Sequence, residues 1–340
     1  MSTREAKRVL MHVGTHKTGS TSIQWGLTHA RDMLAAAGIC YPKIGCPERW
    51  RFGQHDLAWS QIRRATHLPG NITDGRTFDQ GARVALWQSL REEIDASSAH
   101  TIVISSEEFD VLDAEEIAAV GEALGDHDVT PIVFLRNIAD LIESSYRTSI
   151  LNGGYIRSVE EFAANQRTRI DYAAMLRDWL NISRGGRLIV MAYDDPRVRK
   201  DVVAAFVERL GLEIGELPQR SREQQNESVP AFIAELARDL FRGGATQQDV
   251  NQWFGAMRDI GFSEAARQAY MLTPPALRDA LNERHAEEIA RIKADPVLHG
   301  SVHGDFGRAS TRRSKTITSH AEAVAALTKD MQARRPKRAP

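Results

Sequence analysis

The sequence is poor in cysteine, nearly free of net charge, and holds no long apolar run. Its 340 residues carry only Cys40 and Cys46, which flank Tyr41-Pro42. Two such residues are too few for a structural zinc site, so both are read as free thiols. No uninterrupted apolar stretch approaches the length that spans a bilayer. Met1 to Arg8 is polar and charged and runs straight into the first apolar segment, with no cationic n-region followed by an apolar h-region. These absences predict a cytoplasmic protein without a membrane span. The formal net charge of −1 excludes an overall basic polyanion binder, and no nucleic-acid-binding module is present. No internal repeat appears. With 42% hydrophobic and 26% charged residues, the chain can bury a full core.

What is present begins at Val9-Leu10-Met11-His12-Val13-Gly14-Thr15-His16-Lys17-Thr18-Gly19-Ser20-Thr21. An apolar run enters a loop of Gly, Lys, Thr and Ser. Ile23, Trp25 to Leu27, Ala30 and Met33-Leu34 then follow with helical spacing. Strand, tight loop and helix N-terminus in that order aim backbone N–H groups and the positive end of a helix dipole at one point. Lys17 adds a point cation, and Thr18, Ser20 and Thr21 add hydroxyl donors. A nucleotide-triphosphatase loop reads GxxxxGK[ST], with lysine after the second glycine; here Lys17 precedes Gly19. At Pro131 to Asn137 a second apolar, β-branched run ends in Arg136, and Asp140 to Tyr146 reads as a helix. Arg136 and Ser144, two helical turns apart, are placed to converge on one phosphate, the arginine offering bidentate geometry.

The order Lys-Thr-Gly-Ser-Thr resembles the 5'-phosphosulfate loop of sulfotransferases, and the Arg136/Ser144 pair resembles that family's 3'-phosphate site. Asp171 to Trp179, Arg187 to Asp194 and Asp201 to Leu212 are similar to the middle of its bacterial members. The resemblance implies a sulfotransferase that moves a sulfuryl group from 3'-phosphoadenosine 5'-phosphosulfate to a hydroxyl or amine of a carbohydrate or other metabolite, without a metal. It implies donor binding by His16, Lys17, Thr18, Gly19, Ser20, Thr21, Arg136 and Ser144, with Asn226 in a loop that returns to the nucleotide. Where the cytosolic members that act on small phenols and steroids carry an aromatic residue on adenine, this chain has Ser22; Trp25, which the helical spacing also places in the core, and the loop near Asn226 are the local substitutes.

In such a reaction Lys17 stabilises the leaving phosphate. The base is either Glu107, delivered by the strand at 101–106, or His55, beside Asp56 in a loop-rich insertion. For Glu107 the competing role is a helix-starting acid behind a capping Ser106. His12 lies inside the first strand and reads as packed. Two other readings stand beside this one. A P-loop-type kinase or nucleotide-binding protein would want lysine after the second glycine and an acidic strand end for Mg²⁺. A non-catalytic nucleotide-binding scaffold would use the basic end of the chain to gather an anionic polymer.

Strands are predicted at 8–14, 101–106, 130–136 and 187–193. Helices are predicted at 19–36, 80–97, 113–124, 138–151, 158–164, 171–181, 199–210, 229–241, 247–257, 263–270, 275–294 and 319–333. The alternation points to an α/β fold: a mainly parallel sheet flanked by helices, a phosphate-binding loop after the first strand, and a helical C-terminal extension. The boundaries read as a core at 1–228, a helical extension packed on it at 229–300, and a basic, flexible tail at 301–340. In that tail Arg308, Arg312, Arg313, Lys315, Lys329, Arg334, Arg335, Lys337 and Arg338 face only Glu322 and Asp330. The segment 40–78, rich in Gly, Pro, His and Trp, is predicted to be loops over the ligand edge.

Overall fold

A computed structural model describes residues 6–48, 51–63, 78–222, 229–306, 310 and 314–334. Its strands are β1 (Arg8–His12), β2 (Ile39–Cys40), β3 (Thr101–Ser105), β4 (Asp128–Leu135), β5 (Ile189–Ala192), β6 (Tyr270–Met271), β7 (Val302–His303) and β8 (Lys315–Thr316). The helices, in chain order, begin with α1 (Ser20–His29), α2 (Arg31–Ala36), α3 (His55–Gln61), α4 (Gln80–Ala96), α5 (Ala114–Leu124) and α6 (Ile138–Gly153). They continue with α7 (Val159–Asn165), α8 (Tyr172–Asn181), α9 (Pro196–Lys200), α10 (Val202–Arg209) and α11 (Ala231–Arg242). The last are α12 (Gln247–Ile260), α13 (Glu264–Ala269), α14 (Pro275–Ala294), α15 (Pro296–Gly300) and α16 (His320–Arg334). No helix among the described residues is long and apolar enough to cross a membrane.

The chain divides into two compact units. The first holds Met1–Arg136, Asp171–Asn226 and Glu287–Arg308; the second holds Asn137–Ile170, Glu227–Ala286 and Ala309–Pro340. These limits differ from the breaks at 228 and 300 read from composition, because each unit is assembled from segments distant in sequence. Contacts between such segments leave no mark on local composition.

The first unit is built on a six-stranded sheet of order β2-β3-β1-β4-β5-β7, with every neighbouring pair parallel. This is the α/β class expected from the alternation. One sheet face packs Leu10, Val103, Ile132, Phe134 and Met191 against Ile23 and Leu27 of α1, Leu34 of α2, and Val203, Phe206 and Val207 of α10. The strand residues recur at a spacing of two, as a pleated strand requires. β1 is flanked by β3 on one side and β4 on the other, in register His12↔Ser105 and His12↔Ile132. The carboxyl ends of the three central strands therefore open on one edge, at the point where the strand order reverses. Ligands of doubly wound sheets bind in that crevice.

Three local expectations change. The helix predicted over 19–36 breaks at Ala30, whose N–H is shared between the carbonyls of Gly26 and Leu27. The helix predicted over 199–210 divides at Asp201, whose carboxylate accepts from Ala204 N–H and starts α10 afresh; a short acid is a stronger N-cap than helix interior. The insertion contains α3, all of whose residues are buried. Its polar residues hid it: Ser60 Oγ accepts from the Trp87 indole at 3.1 Å, and Asp56 N–H donates to Gly45 O at 2.9 Å. Residues 64–77 of the same segment lie outside the described residues.

The second unit pairs β6 with β8 in a two-stranded parallel sheet, and α11 packs on α6 and α16. At its centre Glu143, 3% exposed, accepts from Arg147 Nε at 2.7 Å and from the N–H groups of Leu272 and Thr273 at 2.9 and 2.8 Å. Burial works against its charge, but Arg147, the Thr273 hydroxyl and the Leu272 N–H together hold the carboxyl below its usual range. The tail contains α16, where Asp330 accepts from Ser263 Oγ and pairs with Arg334 Nε at 3.0 Å. Arg308, Arg312, Arg313, Arg335, Lys337 and Arg338 lie outside the described residues.

Replacing Arg147 by methionine leaves Glu143 charged, buried and without its cation. The expected cost is about 3–5 kcal/mol, read as a lowered urea midpoint.

Candidate functional site

The site grows from the end of β1. The chain leaves the strand alongside β4: Val13 N–H donates to Ile132 O at 3.1 Å, and Thr15 N–H and Oγ1 both donate to Phe134 O at 3.0 Å. Gly14 turns at φ +95, with Glu107 Cα only 3.1 Å from where a Cβ would stand. Three residues later the loop enters left-handed backbone, at Lys17 with φ 65 and at Gly19 with φ 85. Lysine is uncommon there, since its Cβ crowds the backbone. Residues held in such regions cluster at functional sites.

Gly19 is the N-cap of α1, and no side chain caps the helix. Among the described residues, no group accepts from the backbone N–H groups of residues 17 to 21. The Ser20 hydroxyl is buried and has no partner among them either. A buried hydroxyl without a partner is rare in proteins. Here it joins the open N–H groups at the positive end of a ten-residue helix, an arrangement whose electrostatics favour negative charge.

Arg136 follows β4 directly. Its Nη1 donates to Lys17 O at 2.9 Å, while its Nε is buried and unpartnered among the described residues. The guanidinium lies 5.4 Å from the Tyr193 ring centroid, and the Arg136 carbonyl accepts from Tyr172 OH at 2.8 Å. Strand, tyrosine hydroxyl and tyrosine face thus fix the arginine with one edge left open. Burial first, then the charge of Arg136, lowers Lys17 from 10.5 to about 8, against the opposing pull of Glu107.

Glu107 opens a 3-10 turn, Glu107–Val111, behind β3. Ser106 does cap this turn, its Oγ accepting from Glu108 N–H at 3.2 Å, but Glu107 is not consumed by helix initiation. Its Oε2 accepts from Gln24 Nε2 at 2.6 Å. His55, at the start of α3, sets Nδ1 2.8 Å from Ser106 Oγ and 3.9 Å from Glu107 Oε2. The two residues considered as alternative bases therefore stand side by side.

The remaining expected residues have the following surroundings. His16 gives both its N–H and its Nδ1 to Asp110 Oδ2, at 2.8 and 2.9 Å, with Nε2 3.4 Å from Glu108 Oε1. Its imidazole faces two carboxylates and ties the loop to the 3-10 turn. Thr18 Oγ1 turns inward to Thr15 O at 2.5 Å, leaving only its N–H for a ligand. His12 is packed, as its strand position predicts, and burial lowers it to about 4. Trp25 is half-buried rather than core: its indole donates to Arg220 O at 3.0 Å and its ring lies against His29 and Phe52. Ser144 belongs to the second unit, on α6, where its carbonyl accepts from Thr148 Oγ1 at 3.1 Å. Asn226 lies outside the described residues. Gln24, Tyr172 and Tyr193 were not singled out from the sequence. Only Gln24 carried a local signal, since it sits one helical turn after Ser20.

No protein-family model matches the chain, and no curated protein matches it. Among solved structures it is similar to a sulfotransferase from Alicyclobacillus acidocaldarius at 17% identity, over 87% of this chain and 97% of that one, with a TM-score of 0.49.

With Lys17 at about 8, its proton leaves as pH rises through that value, some two units before an ordinary lysine. An amine-acylating reagent at pH 8 is expected to modify Lys17 ahead of surface lysines, as read by peptide mass spectrometry. Modification of Lys17 only above pH 10 contradicts this.

Proposed function

We propose that the first unit is a sulfotransferase centre that takes its sulfuryl group from 3'-phosphoadenosine 5'-phosphosulfate. The observation that carries this reading is the open N-terminus of α1: unpaired N–H groups at residues 17 to 21, with Lys17 and Arg136 beside them and a carboxylate next to the same loop. The residues present fit an anionic donor. Ser20 Oγ and Arg136 Nε are buried donors without partners among the described residues, and a bound phosphate oxygen would supply the acceptors they lack. Lysine before the glycine, rather than after it, sets the loop apart from a nucleotide-triphosphatase loop.

Each group then has a role. The N–H groups of residues 17 to 21 and Ser20 Oγ hold the 5'-phosphosulfate, and Arg136 binds a further phosphate oxygen with its open edge. Glu107, with His55 beside it, takes the proton of the acceptor hydroxyl or amine as the acceptor atom attacks sulfur. The sulfur–oxygen bond to the 5'-phosphate breaks, and the bonding pair stays on that phosphate oxygen. Lys17 meets the charge developing there, and at about 8 it can also deliver a proton to that oxygen near neutrality. The acceptor is proposed only as a hydroxyl- or amine-bearing carbohydrate or other metabolite.

Calorimetric titration of adenosine 3',5'-bisphosphate in metal-free buffer tests the reading. Micromolar binding is expected, weakened in Arg136→Ala by about 2–4 kcal/mol as a charged phosphate loses its partner. In Lys17→Ala, kcat is expected to fall by about 10²–10³-fold with bisphosphate binding largely retained. Binding of ATP with Mg²⁺ in place of the bisphosphate overturns the proposal in favour of a kinase.

A further inference from the structure

Resting on the reading of Glu107 as the proton acceptor, we propose that Gln24 is a positioning residue that fixes the Glu107 carboxylate relative to the phosphate loop. Gln24 is 2% exposed, and its Nε2 donates to Glu107 Oε2 at 2.6 Å. Its place on α1 gives this contact its consequence. Ser20 and Gln24 stand one turn apart on a single helix face, so the element that binds the donor also holds the base. The separation between the reacting sulfur and the proton acceptor is then set within one rigid helix, and a displacement of about 1 Å at such a point costs two orders of magnitude in rate.

The amide is the side chain this task needs. A lysine or arginine at position 24 would pair with Glu107 as a charge and compete with Lys17 for it; an aliphatic residue would leave the carboxylate free to rotate. A neutral donor bonds one oxygen and leaves the other to the acceptor. The neighbouring backbone is shaped for this contact. A Cβ at Gly53 would come within 2.8 Å of Gln24 Cδ and 2.8 Å of His55 Cε1, so glycine at 53 lets both side chains close around Glu107. A buried glutamine that merely satisfied its own amide would need neither the carboxylate nor that close approach.

The test compares wild type, Gln24→Met, Glu107→Gln and the double variant in the full chain, by steady-state kinetics, bisphosphate calorimetry and crystal structures. Gln24→Met is expected to lower kcat by about 10- to 100-fold, to leave donor KM and bisphosphate affinity unchanged, and to cost nothing further in the Glu107→Gln background. In its crystal structure the Glu107 carboxylate is expected to leave its wild-type position. Equal losses in both backgrounds, or unchanged kcat, overturn the proposal. An unmoved carboxylate in Gln24→Met overturns it even if wild type transfers no sulfuryl group, an outcome that by itself counts against the proposed function. Should Gln24→Met fail to fold, Gln24→Asn keeps the amide one methylene short of Glu107; it is expected to show the same kcat loss, and wild-type kcat in it overturns the proposal.

Discussion

The site depends on one unfinished set of hydrogen bonds. Helix α1 begins without a side-chain cap, and the loop ahead of it turns its N–H groups out through left-handed backbone at Lys17 and Gly19. A capped start would quench the helix end. An open one leaves donors that the helix itself does not satisfy, beside the cations of Lys17 and Arg136. β4 makes that start possible, because Thr15 is bonded twice to Phe134 O and Arg136 holds the Lys17 carbonyl. The sheet supports an arrangement that an isolated loop would not keep.

Charge is placed around that opening with economy. Arg136 and Lys17 lie close enough for the arginine to lower the lysine, while Glu107 pulls the other way. Like charges brought together in a partly dehydrated loop cost free energy. In the proposed function a bound anion offsets that cost, so binding energy would be available where phosphate charge develops. On the opposite side of the loop His16, Glu108 and Asp110 form a separate group. They tie the loop to the 3-10 turn.

Much of this was legible along the chain. The β1 run and the helix after it, the Arg136 strand end and the Glu107 strand end are local patterns, and periodicity reports them well. The inner split at Asp201 was legible too, had the acid been read as a cap. What escaped notice depended on contacts across the sequence. α3 was hidden because its buried residues include polar ones, of which Ser60 meets the Trp87 indole on α4. His16 reads as a phosphate ligand beside the loop; only the arrival of Asp110 from the 3-10 turn behind β3 engages its ring.

By itself the sequence determined the main strands and helices of the core, the α/β alternation and the identity of the charged groups at the strand ends, because these follow from spacing and residue chemistry within a short window. Tertiary structure alone decided which of those groups meet. The β3-β1-β4 order brings residues from three separate strands to one edge, packs His55 of the insertion against Glu107 and sets Gln24 on the same carboxylate. The reason is geometric: parallel strands neighbour one another only through long crossovers, so the groups at their ends are remote in sequence however close they lie in space.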